Sequence, residues 1–415
     1  MLNSFVLLFI AVIVLKVLWD ITLDLINMRY STSPNAKIPD VLKDKISEED
    51  FEKAKRYLKD RVTLGVIMKI TSLILTLVYV FFLFPFLEKV LESKGSFIVQ
   101  SLLFFGIYAL IDYLVELPFR VYSIFVVEQK YGFNTTTPKL FVKDQIIGII
   151  LGVIIGAPII SIMMWLLNRF RVWWWQLSIL SFVFLLFFMI IQPLVIAPLF
   201  YKFSELDDEE LKSKLRALLD KSGVKVPNIY KMDASKRTKK QNAYLTGIGK
   251  SRRLVLFDTI LSYNHDEVLS IVGHELGHHV KKHIPKLLLI DIVFISFVLY
   301  ITNVVYRFIL ETRIFGVSQP YTVFAYSFLF VSSLVFFLEP ILNYLSRKME
   351  YEADEYSAKL LGTPEPLISS LKRLVKENLS NPNPMPLYKV WHYNHPAPEE
   401  RIKRLMEMGV IDRDG

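Results

Sequence analysis

The 415-residue chain contains no cysteine. That excludes disulfides and any metal site built on thiolates, so only histidine and carboxylate are left as ligands. Histidine is itself scarce, with seven in the chain. Charged residues make up only 21% of the sequence against 53% hydrophobic, and the mean hydropathy is +0.39. Such a balance is too apolar for an ordinary soluble protein and points to a membrane bundle with one soluble part. The formal charge of +9 is spread over loops that also carry many acids. It reads as membrane-surface and topology charge, with no nucleic-acid partner expected. Internal repeats and low-complexity tracts are absent. The first hydrophobic stretch lacks a basic leader and an A-x-A-like cleavage site, which predicts a retained helix.

At roughly 20 apolar residues per crossing, about seven spans are expected, near 4–27, 64–87, 97–116, 145–167, 173–199, 284–310 and 321–345. Lys16, Asp20 and Asp24 in the first span, and Asp112 and Glu116 in the third, have two readings. They face a bundle interior or wet cavity, or they sit near the interface and snorkel. Residues 30–62 and 200–283 are predicted to lie outside the membrane. Within the second segment, Leu206 to Ser222 has an amphipathic helix pattern ending at Gly223. Val226 to Met232 and Arg253 to Phe257 suit short strands, and Asp266 to Lys282 suits a helix. Lysine and arginine concentrate in the first, third and fifth inter-span loops and in the tail. The expected orientation therefore has the N-terminus external or luminal and those segments cytoplasmic.

The most informative run is His274-Glu275-Leu276-Gly277-His278. It matches HExxH, in which two histidines on one helical face reach a single zinc ion and the glutamate serves as general base. A long apolar segment begins almost at once, near Ile284, so the site is expected at or inside a membrane. A catalytic zinc needs a third protein ligand and an open position. Glu350, delivered by the last span to the same membrane face, is the predicted ligand. Asp354, one turn on, is the predicted partner for the far nitrogen of a ligand histidine, and Glu352 is turned away. The alternative is that Glu350 and Asp354 form a solvated charged face. His279 and His283 are also four apart but lack a glutamate placed like Glu275, and are expected at the cytoplasmic surface or interface. His265 is expected as a cap or surface residue. Near the C-terminus, His392, His395 and Arg401 could donate to the oxyanion of a tetrahedral intermediate, or could belong to a structural loop.

Taken together these residues resemble the type I CAAX prenyl proteases, integral-membrane zinc endopeptidases of the gluzincin kind. The resemblance extends to Glu128–Asn134, Ile196–Phe200, Asn242–Tyr244, Arg253–Thr259 and His392–Pro396 with Arg401, and so runs over nearly the whole chain. One departure is His-Pro-Ala-Pro at 395–398 in place of the commoner His-Pro-Pro. The family likeness implies seven helices enclosing a water-filled intramembrane chamber with the zinc site at its cytoplasmic end. It also implies removal of C-terminal tripeptides from prenylated proteins, with an upstream cut in some members. By the same likeness His274, His278 and Glu350 bind one Zn2+ and Glu275 is the base. His395 and Arg401 then face the substrate, and Asn242 and Ala243 hold its main chain by strand addition.

The expected fold is mainly α, a polytopic membrane protein with a small α+β zinc-peptidase domain. The division predicted is a membrane domain at 1–199 and a peptidase domain at 200–415 that includes the last two spans. The expected partners are a peptide or protein substrate, with or without a lipid, and membrane lipid. Two other functions fit parts of the pattern. One is a membrane quality-control metalloprotease with no prenyl requirement, against which the long N-terminal half counts. The other is a transporter or channel, for which HExxH with a placed glutamate has no explanation.

Overall fold

A computed structural model describes residues 3–411 except Ile248, Lys250 and Ser251. Seven of its helices are long and apolar enough to cross a membrane: α1 (Ser4–Ser31), α2 (Glu48–Leu91), α3 (Phe97–Glu128), α4 (Pro138–Arg169), α5 (Trp174–Phe200), α8 (His283–Thr312) and α9 (Pro320–Leu361). Between α5 and α8 lie α6 (Glu209–Ser222) and α7 (His265–Val280), and after α9 come α10 (Glu365–Glu377), α11 (Pro386–His392) and α12 (Pro398–Ile411). Every predicted span is present. The second differs in extent, because its helix starts at Glu48, capped by a Ser47–Asp50 box. Much of the segment read as separate and soluble is therefore the polar extension of a membrane helix. Three π-turns interrupt the spans at Tyr79–Leu83, Ser123–Glu128 and Gln192–Ile196. Each lies close to a proline (Pro85, Pro118 and Pro193) that cannot donate a helical hydrogen bond.

The spans touch in a closed circuit, α1 to α2, α3, α4, α5, α8, α9 and back to α1. Their packed core sits at one end only. It joins Phe9 of α1, Phe84 and Leu87 of α2, Phe104 of α3, Met164 of α4, Trp173 just before α5, Ile309 of α8 and Tyr326 of α9. Toward the other end the packing stops. Among their described residues, α4 buries no side chain from 142 to 163 and α8 none from 284 to 301. A helix in a packed bundle buries one face along its length; these do not, so the spans pack tightly at one end and loosely toward the other. The acids of the first span face protein. Asp20 and Asp24 are buried and pair with Lys69 of α2 at 2.8 and 2.7 Å.

The loosely packed end carries a four-stranded sheet in the order β1-β2-β4-β3, formed by β1 (Phe203–Glu205), β2 (Asn228–Met232), β3 (Ala243–Thr246) and β4 (Arg253–Phe257), with Arg253 donating to Pro193 O of α5. Strands β2 and β4 are parallel and the other two pairs antiparallel. β1 was not foreseen, and β2 starts two residues later than expected, after Pro227. Leucines at 211, 215, 218 and 219 of α6 and Val268, Val272 and Leu276 of α7 pack on the sheet through Leu254 and Leu256. The α6 helix ends, as its sequence suggests, on Gly223 at φ 71°. Strand β3 is left at the edge of the sheet.

Candidate metal centre and active site

Helix α7 begins at a reciprocal cap. The Glu267 N–H donates to Asn264 Oδ1 at 2.8 Å and the Asn264 N–H to Glu267 Oε2 at 3.2 Å. His265 follows the cap and lies at the surface, 3.0 Å from Asp208. The helical spacing then brings His274 and His278 together, with their Nε2 atoms 3.1 Å apart. From α9, Glu350 places Oε2 3.4 Å from His274 Nε2 and Oε1 3.2 Å from His278 Nε2. One turn further, Asp354 Oδ1 lies 2.8 Å from His274 Nδ1. Asp354 in turn accepts from Arg401 of α12, at 2.8 Å from Nε and 2.5 Å from Nη2. Arg401 thus spends two of its nitrogens on Asp354, and its Nη1 lies 3.9 Å from Glu350. Two helices and the tail converge on one point.

Two glycines allow this approach. A Cβ on Gly277 would lie 2.9 Å from the Cα and the carbonyl oxygen of Ala353, and one on Gly273 2.8 Å from Ser357 Oγ. Without side chains at these positions α7 lies directly against the backbone of α9, which puts Glu350 within reach of both histidines.

These residues fit a divalent metal. The three ligand groups lie within 4.8 Å of one another. Buried Glu350 Oε2 has no aligned hydrogen-bond donor, although His395 Nδ1 approaches it to 2.7 Å. Two imidazoles and a carboxylate with that oxygen uncommitted form a donor set suited to zinc. Burial pushes the His274 imidazole down, but its hydrogen bonds to Asp354 and Glu350 outweigh that and lift it to about 9. A metal bound there must displace that proton. Glu275 points from the same helix into the cavity. Burial pushes its carboxyl above the usual carboxylate range, opposed by the charges of His274 and His278 and a backbone hydrogen bond from Leu245.

The structure departs from expectation at His283. It is fully buried, not at the surface or interface. Its Nδ1 lies 2.9 Å from His278 Nδ1 and its Nε2 3.1 Å from Glu352 Oε2. The periodicity argument that paired it with His279 assumed an unbroken helix. Lys282 takes φ 59°, which ends α7 and turns the first residue of α8 back toward the metal ligands. Glu352 is turned toward His283. Both ligand histidines therefore have an oriented far nitrogen, one through Asp354 and one through His283. His392 and His395 also separate. His395 faces Glu350, whereas His392 Nε2 lies 3.4 Å from Asp20 in the membrane bundle.

A cavity of about 160 Å³ connects Glu275, Glu350, His395 and Arg401 with Asn242 and Ala243. It opens beside the free edge of β3. The Phe257 N–H donates to Asn242 O at 3.0 Å, so ladder alternation turns the peptide groups of Ala243 and Leu245 away from β4. The Ala243 N–H is held by Asn242 Oδ1 at 2.9 Å.

Comparison with known proteins settles the family. Residues 27–202 match the family model for the CAAX prenyl protease N-terminal region with five membrane helices, and residues 205–409 match peptidase family M48. CAAX prenyl protease 1 of Saccharomyces cerevisiae is 32% identical over 409 residues, covering 91% of this chain and 90% of its own. The chain belongs to the CAAX prenyl protease 1 family. The Arabidopsis thaliana homolog is 31% identical over 89% of this chain and 90% of its own. The crystal structure of S. mikatae Ste24p superposes with a TM-score of 0.89 at 30% identity, over 96% of this chain and 98% of that one. An uncharacterized Bacillus subtilis metalloprotease, YhfN, is 32% identical over 76% of each chain. As a family member the protein is a membrane-embedded metalloprotease, and the site described here is built from the elements that the M48 region spans.

Proposed function

We propose that the protein uses one zinc ion, held by His274, His278 and Glu350, to remove C-terminal tripeptides from prenylated proteins at the cytoplasmic end of a membrane chamber. The observation that carries this reading is the convergence of three ligand groups beside both Glu275 and a free strand edge. Bound zinc supplies Lewis acidity that makes water nucleophilic near neutral pH. Glu275 takes a proton from the attacking water and delivers it to the leaving amine, a role suited by its raised pKa. Asp354 and His283 hold the two imidazoles with their far nitrogens engaged, and Arg401 fixes Asp354 in turn. His395 and the remaining Arg401 nitrogen are placed to steady the oxyanion. Asn242 and Ala243 hold the substrate main chain as an added strand.

The loosely packed end of the bundle supports a space in which lipid and peptide are held together. The basic loops favour a cytoplasmic side for the sheet, the metal site and the tail, with the N-terminus outside. The chain divides at about residue 200, a membrane domain before it and the peptidase domain with spans α8 and α9 after it. The test is cleavage of an S-prenylated reporter peptide by purified protein. Wild type should release the tripeptide, and Glu275→Gln should keep stoichiometric zinc while losing activity by orders of magnitude. A folded Glu275→Gln protein with full activity would rule out this mechanism. Equal cleavage of the unprenylated peptide would favour a general membrane protease.

A further inference from the structure

A second cavity is lined by residues that neighbour the catalytic cavity in the chain. It encloses about 480 Å³ and is lined by Asp24, Tyr57, Arg61, Lys240, Asn381 and Tyr393, among others. The chain links it directly to the metal site. Lys240 immediately precedes Gln241 and Asn242, and Tyr393 stands two residues before His395, all of which line the catalytic cavity. Most of its charges are already matched. Lys240 Nζ lies 3.0 Å from Glu128 Oε2 and donates to the Tyr57 hydroxyl at 3.0 Å. Asp24 is engaged at 2.7 Å by Lys69, which it shares with Asp20. Arg61 differs. It is exposed, its guanidinium stands 5.5 Å from the centroid of the Tyr57 ring, and among the described residues no carboxylate pairs with it. The cavity thus offers one guanidinium without a directly paired carboxylate, beside hydroxyl and amide groups, which is the chemistry that receives a carboxylate.

The chain leading into the strand edge passes this cavity at Lys240. A peptide added antiparallel to β3 runs its carboxyl end past Asn242 toward Lys240. The stretch from Ala243 back to Lys240 is three residues, a reach of at most about 10 Å. Three substrate residues beyond the cut cover the same distance. We propose that the Arg61 cavity binds the free α-carboxylate of the substrate's last residue, so that the spacing between Arg61 and Glu275 sets how many residues are removed. This rests on the proposed function, because only a substrate cut near its C-terminus presents that group.

The test compares two S-prenylated peptides that differ only in ending as a free carboxylate or a carboxamide, cleaved by the full-length protein in detergent. A lost charge-assisted contact corresponds to about tenfold to a hundredfold. Wild type should therefore prefer the carboxylate by that factor in kcat/KM, chiefly through KM. In Arg61→Ala the ratio should collapse toward one, and Arg61→Lys should restore part of it. Equal cleavage of both peptides by wild type overturns the carboxylate site while leaving the peptidase reading intact. A preference that survives in Arg61→Ala overturns the assignment of the carboxylate to Arg61. Failure of wild type to cut either peptide contradicts the proposed function, and the carboxylate site falls with it.

Discussion

Replacing Gly277 by alanine tests how two helices make one site. The added methyl would meet the Cα and the carbonyl oxygen of Ala353 at 2.9 Å. Both are backbone atoms, and comfortable contact is about 3.5–4.0 Å, so α7 and α9 must part by roughly 0.5–1 Å. Ala353 lies between Glu350 and Asp354 in the chain, so the shift reaches the third ligand and the partner of His274 together. Overpacking of this kind costs about 1–3 kcal/mol of stability. A catalytic group misplaced by about 1 Å costs on the order of a hundredfold in rate. Gly277→Ala should therefore remain folded, bind zinc less tightly and lose about two orders of magnitude in kcat/KM. Chelator competition and reporter cleavage on the same preparation read both quantities. Gly273→Ala is the control. Its methyl meets the Ser357 hydroxyl at 2.8 Å, a side chain able to rotate away from its 2.7 Å bond to Ser270 O. That loss costs about 1 kcal/mol and should leave zinc affinity nearer to wild type. A Gly277→Ala protein with wild-type zinc affinity and wild-type kcat/KM would refute the claim that this helix contact sets the ligand geometry.

Other expectations follow from the same contacts. His283→Ala should weaken zinc binding by about tenfold to a hundredfold, the usual cost of losing a hydrogen-bond partner behind a metal ligand; chelator competition measures it, and an unchanged affinity would show that His283 is mere packing. Ala243→Pro removes an edge N–H and should cut cleavage strongly while zinc stays bound; a folded, metallated and fully active variant would exclude strand addition at this edge. Because the chain lacks cysteine, single cysteines at Ser93 and Ser235 can be labelled without background. An impermeant thiol reagent on intact cells should reach Ser93→Cys and not Ser235→Cys, and the reverse pattern would invert the proposed orientation.

How much of this could be read from the sequence depended on whether a feature was local and periodic. The seven spans were legible because each needs only a long apolar run. The cluster of His274, His278 and Glu350, with Asp354 behind it, was legible from residues four apart on a helix face, combined with the return of the last span to the same membrane surface. Features set by a break in periodicity were hidden. His283 reaches His278 only because Lys282, not a glycine, adopts φ 59°. Helix α2 extends back to Glu48 because its amphipathic start packs on the tail, with Phe51 buried against Leu367 and Leu371. Strand β1, with three residues, is too short to carry an alternation signal. The division of labour between His392 and His395 depends on where the short helix α11 ends, which no spacing rule supplies.

The central claim is that His274, His278 and Glu350 together hold one catalytic zinc. Its most direct test is the zinc content of purified single variants. Wild type, Glu275→Gln and His279→Ala should each carry one zinc per chain, while His274→Ala, His278→Ala and Glu350→Ala should carry little or none. Retention of zinc by His274→Ala, with its loss from His279→Ala, would contradict the account.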